Sequence, residues 1–174
     1  MTYIYHGVQE EVKGSQLIPL NQMQATYPAL NAKYLEKYKG REEILERTIA
    51  LLDCPWNGVI QLLPLHPRKI FECQKELGLI AAMPAYKYFE IDLELLTPNK
   101  TAVYFKTAPG EEHVIVKWLR DVDLSDLQVV PEATINYYKS LIGSSEPVFN
   151  YQFIPHILYK GSLDISHAGV VSIA

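Results

Sequence analysis

The sequence predicts an α+β fold in which antiparallel β-sheets pack against helices clustered in the N-terminal half of the chain. Helical spacing is strongest within residues 30–52 and 67–78, whereas strand-type runs dominate from residue 86 onward. A strand-type run also opens the chain at residues 2–8. With 174 residues, 48% of them hydrophobic and 21% charged, the chain fits a single domain spanning 1–174.

The N-terminal half alternates strand and helix signals. After the opening strand, a polar turn is expected at residues 13–15, and residues 30–52 carry helical spacing that is broken once, at Gly40. That break predicts either two short helices, the second over residues 41–52, or one kinked helix. Residues 59–63 predict a short buried strand, and Pro67 in a first turn predicts a helix that ends at Gly78.

The second half reads mainly as strands. Residues 86–93 and 101–106 both alternate, with a turn at 98–100 between them, which predicts an antiparallel hairpin. Residues 114–119 predict a further strand, and residues 131–142 predict a helix with Glu132 in its first turn. Three more strands are expected in the tail, over residues 148–154, 157–160 and 169–173.

Composition narrows the function classes. The net charge is −4 and the charges are interspersed, which disfavours a nucleic-acid partner without excluding a local basic patch. The absence of a secretory signal and of a long apolar stretch predicts a soluble, cytoplasmic protein with no membrane partner. Cys54 and Cys73 lack a zinc spacing and the five histidines lack a tight ligand spacing, so no metal site is predicted.

Several polar residues could carry chemistry, and each has a plainer alternative. His6 and Gly7 follow the first strand, where an imidazole and an approachable backbone suit a nucleotide, although His6 could simply cap the strand. His66 at a helix start could meet an anion or act as a polar N-cap. Glu90 and Asp92 share a strand face, either as an acid–base pair or as its solvent side.

Two further features leave alternatives open. Glu146 lies in a Gly-Ser-Ser loop that is reachable for a catalytic acid, although a solvated loop residue is the plainer interpretation. The chain has 12 tyrosines, which favour packing at the edge of the core or, alternatively, a surface that stacks on a base or nicotinamide ring.

The order of the elements, with His6-Gly7 after the first strand and residues 58–63 leading into a helix, resembles the ADP-ribosyltransferase-like proteins. The resemblance implies their split sheet and the cofactor NAD. It implies that His6 holds the adenosine ribose and that the Gly7 backbone holds the nicotinamide amide. Gln61 falls in the family's second motif. Of the tyrosines, Tyr88 is the one expected to contact the cofactor.

Three departures from the family pattern are visible in the sequence. Val8 stands where a threonine or serine is usual, and the second motif lacks an aromatic or hydroxyl residue. The third motif is a glutamate on a late strand, yet the strands predicted after residue 148 contain none. Glu146 lies just before them and His156 falls roughly where the glutamate is wanted, so these two are the catalytic candidates.

Three functions remain open at this point. The first is an NAD-dependent ADP-ribosyltransferase-like protein that binds a small-molecule nucleotide and modifies an unknown acceptor. The second is a non-catalytic binding or protein-interaction domain with a Tyr-rich surface. The third is a hydrolase that uses Glu90 and Asp92 with His66, which requires those groups to converge.

Overall fold

The computed structural model describes residues 2–9 and 14–174. The α-helices are α1 (Leu20–Thr26), α2 (Pro28–Glu36), α3 (Glu43–Glu46), α4 (Pro67–Glu76), α5 (Leu124–Leu127) and α6 (Glu132–Ser140). The strands are β1 (Tyr3–Gly7), β2 (Gln16–Leu17), β3 (Thr48–Ile49), β4 (Cys54–Pro55), β5 (Val59–Leu62), β6 (Lys87–Asp92), β7 (Thr101–Lys106), β8 (Val114–Trp118), β9 (His156–Lys160), β10 (Leu163–Asp164) and β11 (Gly169–Ser172). All their pairings are antiparallel, which confirms the α+β class.

Two sheets carry most of the fold. One has the strand order β1-β6-β11, and the other has the order β5-β9-β7-β8. They meet at one bridge, where Tyr5 of β1 and Leu63, just after β5, exchange both backbone hydrogen bonds at 2.8 Å. Among the described residues, no other ladder pair joins β1 to β5. In this part of the chain, that bridge is the one backbone pairing between the two sheets.

The core packs on both sides of this junction. On one side, Ile4 and Ile91 pack with apolar side chains of the four-stranded sheet such as Leu62 and Ile157. On the other, Tyr5 and Leu63 belong to a cluster that the helices α4 and α6 cover. Helix α4 begins at Pro67, whose missing N–H costs nothing in a first turn, and buries Ile70 and Phe71. The first cluster contains residues of both sheets, whereas the second is linked to the four-stranded sheet through Leu63, just after β5.

The predicted hairpin of residues 86–93 and 101–106 is wrong. β6 lies between β1 and β11, and β7 lies between β8 and β9. Residues 93–100 instead carry the chain from one sheet to the other. Alternation fixes which side chains are buried, but it does not choose the partner strand. Ala102 and Val103 are both fully buried, as befits a strand in the middle of a sheet.

Two other expectations are also wrong. In place of a helix over residues 41–52, α3 ends before Arg47, whose extended backbone leads into β3. The β-branched pair Thr48 and Ile49 then forms a ladder with β4. In place of the strand expected over residues 148–154, the chain forms a turn at residues 150–153.

The helices are distributed more broadly than predicted. α1 to α4 fall in the N-terminal half, but α5 and α6 lie between β8 and β9. None of the helices in the described residues is long and apolar enough to cross a membrane. Lys13, which begins the expected turn at residues 13–15, lies outside the described residues.

Candidate functional site

A large cleft of about 1050 Å³ opens beside the junction of the two sheets. One wall is formed by β1, β5, β7, β8 and the start of β9, and the other by the helical stretch of residues 34–51. Residues 149–152 also line it. Ligand pockets typically measure about 300–1,000 Å³, so the cleft has room for a ligand of dinucleotide size.

His6 lies on β1 and lines this cleft. Its Nδ1 is 3.0 Å from the carbonyl oxygen of Gln61. A carbonyl oxygen can only accept, so Nδ1 donates and the neutral ring keeps Nε2 as an acceptor. Burial lowers the pKa of His6; the bond to Gln61 raises it and the charge of Lys37 lowers it further. His6 is therefore neutral at pH 7 with a fixed tautomer.

His156 is the first residue of β9 and lines the same cleft. Its partner across the ladder is Tyr104 of β7, and its Nδ1 donates to the carbonyl oxygen of Ile154 at 2.8 Å. Burial lowers the pKa of His156 to about 4. The cleft thus contains a second neutral imidazole whose acceptor nitrogen is Nε2.

Gly7, Gln61 and Tyr88 also line the cleft. A Cβ built on Gly7 would have the Gln9 side chain as its nearest neighbour, at 3.9 Å, so space is open beside the Gly7 backbone. Tyr88 is only 3% exposed, and its hydroxyl lies 2.6 Å from that of Tyr151. Tyr88 therefore contributes chiefly as a packed, hydrogen-bonded side chain.

The segment at residues 149–152 is held against the helices by buried polar groups. The Tyr138 hydroxyl donates to the carbonyl oxygen of Asn150, and Gln74 Nε2 donates to Asn150 Oδ1 at 3.2 Å. Tyr138 and Gln74 are both fully buried. This anchoring fixes Phe149, which is 63% exposed, and Tyr151 at the edge of the cleft.

Glu146 does not lie with the other candidates. It is exposed, its N–H donates to Ser144 Oγ at 3.0 Å, and it is not among the residues that line the cleft. Within the described residues, Glu111 is the one carboxylate in the lining, and it is paired with Arg47. The two histidines therefore have no carboxylate beside them in the described part of the cleft.

Sequence reasoning missed the basic side of the cleft. Lys37, Arg41 and Arg47 line it from the helical stretch, and Lys106 lines it from β7. The available signal was the recurrence of Lys33, Lys37 and Arg41 every four residues, which is the spacing of one helix face. The overall charge of −4 gave no indication of this local cluster of cations.

The groups proposed for a hydrolase only partly converge. His66 Nδ1 accepts from the N–H of Arg68 at 3.2 Å, so it caps α4. Tyr5 packs edge-on against His66 at 4.9 Å between ring centres and donates to Glu90 at 3.4 Å. Asp92, in contrast, accepts from the N–H of Glu94, and neither carboxylate lines the cleft.

Most of the tyrosines do not form a continuous outer surface. Four are buried within the fold: Tyr5, Tyr88, Tyr138 and Tyr159. Several others line the cleft, including Tyr34, Tyr38 and Tyr104. The tyrosine enrichment therefore serves the core and the cleft walls.

The described residues contain no group of three or more histidine, cysteine or acidic side chains that could hold a metal ion. No protein-family model, no curated protein and no solved structure matches the chain.

Proposed function

We propose that the protein binds NAD in the cleft at the sheet junction and acts as an ADP-ribosyltransferase-like protein on an acceptor that is still to be identified. The supporting observation is convergence. Five residues that the family resemblance assigns to the site, drawn from the four strands β1, β5, β6 and β9, line one cleft: His6, Gly7, Gln61, Tyr88 and His156.

The chemistry of the two imidazoles suits a ribose. Each has its Nδ1 occupied by a backbone carbonyl and keeps Nε2 as an acceptor for a ligand hydroxyl. Because burial holds the pKa of His156 near 4, this ring stays neutral as the pH falls well below 7. A neutral acceptor next to the open backbone of Gly7 fits a sugar hydroxyl and an amide.

Transfer would break the bond between C1′ of the ribose and the nicotinamide nitrogen. Nicotinamide leaves with the bonding electron pair, the acceptor attacks C1′, and the acceptor gives up one proton. We assign that proton to Nε2 of His156, which lines the cleft and, with a pKa near 4, acts as a weak base.

A second candidate function is a nucleotide-binding domain without transferase activity. It is favoured by one observation: beside the two histidines, the described cleft lining offers no carboxylate to stabilise a positively charged ribose. This candidate shares the binding site of the first and differs only in turnover.

Calorimetric titration with NAD tests the site that both candidates share. We expect saturable binding by the wild type and at least a tenfold loss of affinity in His6→Ala, because the variant removes an acceptor from the cleft wall. His167→Ala is the matched control, since His167 is exposed and lies outside the cleft lining. A wild type that does not bind NAD would overturn the proposal.

Release of nicotinamide separates the two candidates. The protein is incubated with NAD, water takes the place of the acceptor at C1′ and gives up the proton, and free nicotinamide is measured by chromatography. Release by the wild type at saturating NAD that is lost in His156→Ala, with that variant also saturated, supports the transferase-like chemistry. Saturable binding without any release supports the binding domain.

A further inference from the structure

The cleft has the opposite charge to the molecule that contains it. The chain carries a net charge of −4, yet the described residues of the lining include four cationic side chains and one carboxylate. The cations are Lys37, Arg41, Arg47 and Lys106, and the carboxylate is Glu111. A concave surface lined by one sign of charge concentrates ligands of the other sign.

Lys37 and Arg41 stand together on the helical wall. The Lys37 ammonium lies 4.6 Å from the centre of the Tyr34 ring, and it is near enough to His6 to affect that residue's pKa. Arg41 donates to the carbonyl oxygen of Lys37 at 3.0 Å. In the described part of the chain, neither cation pairs with a carboxylate.

Lys106 extends the positive charge to the strand wall of the cleft. Lys106 follows Tyr104 on the same face of β7, and no described carboxylate pairs with it. Arg47 is neutralised by its ion pair with Glu111. Lys37, Arg41 and Lys106 are therefore the three uncompensated cations of the described lining.

Aromatic side chains also line the cleft beside these cations. The guanidinium carbon of Arg41 lies 5.8 Å from the centre of the Tyr38 ring. Trp56 packs edge-on against Tyr104 at 5.2 Å between ring centres, and its Nε1–H donates to the Tyr38 hydroxyl at 3.3 Å. All three rings line the cleft. The aromatic part of the lining is thus held in place by its own contacts.

We propose that Lys37, Arg41 and Lys106 form a phosphate subsite that holds adjacent phosphate groups, so that the ligand of the cleft carries a diphosphate. As a description of how NAD is held, this subsite rests on the proposed function. As a site for a diphosphate, it can be tested without NAD.

Inorganic pyrophosphate is the probe. Calorimetric titration should give saturable binding to the wild type, tighter than that of orthophosphate because two adjacent phosphate groups contact the cations. The affinity should fall several-fold between 50 and 200 mM salt, since an exposed cleft is screened. Binding that is equally weak for both anions would overturn the subsite.

Charge variants then locate the binding. We expect Arg41→Gln and Lys106→Gln each to weaken pyrophosphate binding about tenfold, and Arg41→Lys to retain most of it. Lys117→Gln is the matched control: Lys117 is an exposed cation of the adjoining strand β8 and lies outside the cleft lining. Equal affinities across the set, with folding verified by circular dichroism, would overturn the subsite.

Glu111→Gln provides a test in the opposite direction. The substitution removes the one acidic group of the described lining and releases Arg47, so pyrophosphate binding should tighten several-fold. A purely structural role for the ion pair predicts unchanged or weaker binding, which would contradict the subsite.

The same variants distinguish the failure of this proposal from the failure of the NAD proposal. If NAD binds equally well to the wild type, Arg41→Gln and Lys106→Gln, the phosphate subsite is wrong and NAD binding stands. If pyrophosphate binds and the variants lose it, but NAD does not bind, the subsite stands and the proposed function is wrong.

Discussion

The imidazole rings of His6 and His156 are held by the same kind of hydrogen bond. Each imidazole donates its Nδ1 proton to a main-chain carbonyl, from Gln61 in one case and Ile154 in the other. A backbone acceptor does not change with the side chains around it, so the tautomer of each ring is set by the fold itself. Each neutral ring therefore keeps Nε2 as its acceptor nitrogen before any ligand arrives.

These buried rings make stability depend on pH. His156 has a pKa of about 4 in the folded protein, compared with an ordinary value of 6.5. Below pH 6.5 the unfolded chain therefore binds more protons, and stability falls as the pH drops towards 4. From this one ring we expect a loss of about 2 kcal/mol between pH 7.5 and 5. The lowered pKa of His6 acts in the same direction.

Urea unfolding at pH 7.5, 6.5 and 5 measures this effect. The free energy of unfolding of His156→Gln should decline less steeply than that of the wild type. His167→Gln, with an exposed histidine replaced, should follow the wild-type slope. Parallel slopes for all three proteins would show that His156 is not held neutral by the fold.

At the residue scale the sequence was informative where a local pattern existed. His6-Gly7 and His66-Pro67 are local patterns: the structure places His6-Gly7 within β1 instead of after it, and the capping role allowed for His66 is confirmed. The uncompensated charge of Lys106 is not local. It depends on which carboxylates lie near β7 in space, and no spacing along the chain contains that information.

At the scale of elements, the existence of a strand was easier to predict than its partner. β5, β6, β7 and β8 all fall where alternation or short apolar runs predicted strands. The predicted hairpin was wrong because β6 and β7 belong to different sheets. Pairing depends on which apolar faces meet in three dimensions, and many arrangements satisfy the same alternation.

Position within the four-stranded sheet should determine the cost of a substitution. Ile157 on the inner strand β9 is fully buried, whereas Ile115 on the edge strand β8 is 52% exposed. Ile157→Ala should lower the free energy of unfolding by about 3 kcal/mol, because it removes buried methyl groups and leaves a cavity. Ile115→Ala should cost less than about 1 kcal/mol.

Chemical denaturation of the two variants beside the wild type checks this difference. Both substitutions remove the same atoms from a β-strand, so intrinsic strand preference is matched between them. Similar losses in the two variants would mean that β9 is not the packed centre of this sheet.

At the scale of the whole molecule, the Tyr5–Leu63 bridge decides whether the two sheets behave as one body. Only two backbone hydrogen bonds cross there. However, Tyr5 and Leu63 are both buried, in a core cluster that also contains residues of α4 and α6. Packing around the bridge therefore couples the sheets more strongly than its two hydrogen bonds alone would.

Amide hydrogen exchange measures this coupling. We expect the N–H groups of Tyr5 and Leu63 to exchange as slowly as that of Leu158 in the middle of β9, because all three should open only on global unfolding. Markedly faster exchange at the bridge would show that the sheets separate in the native state, which would also widen the cleft.

The three-stranded sheet has a consequence for synthesis of the chain. Its members come from residues 3–7, 87–92 and 169–172, with β6 in the middle. A ribosome releases them in that order, so β1 emerges long before its neighbour β6 exists, and one edge of β6 stays uncovered until β11 follows. Throughout that interval the nascent chain displays unpaired strand edges to the surrounding solution. The sheet that carries His6 is thus completed only after residues 169–172 have left the exit tunnel.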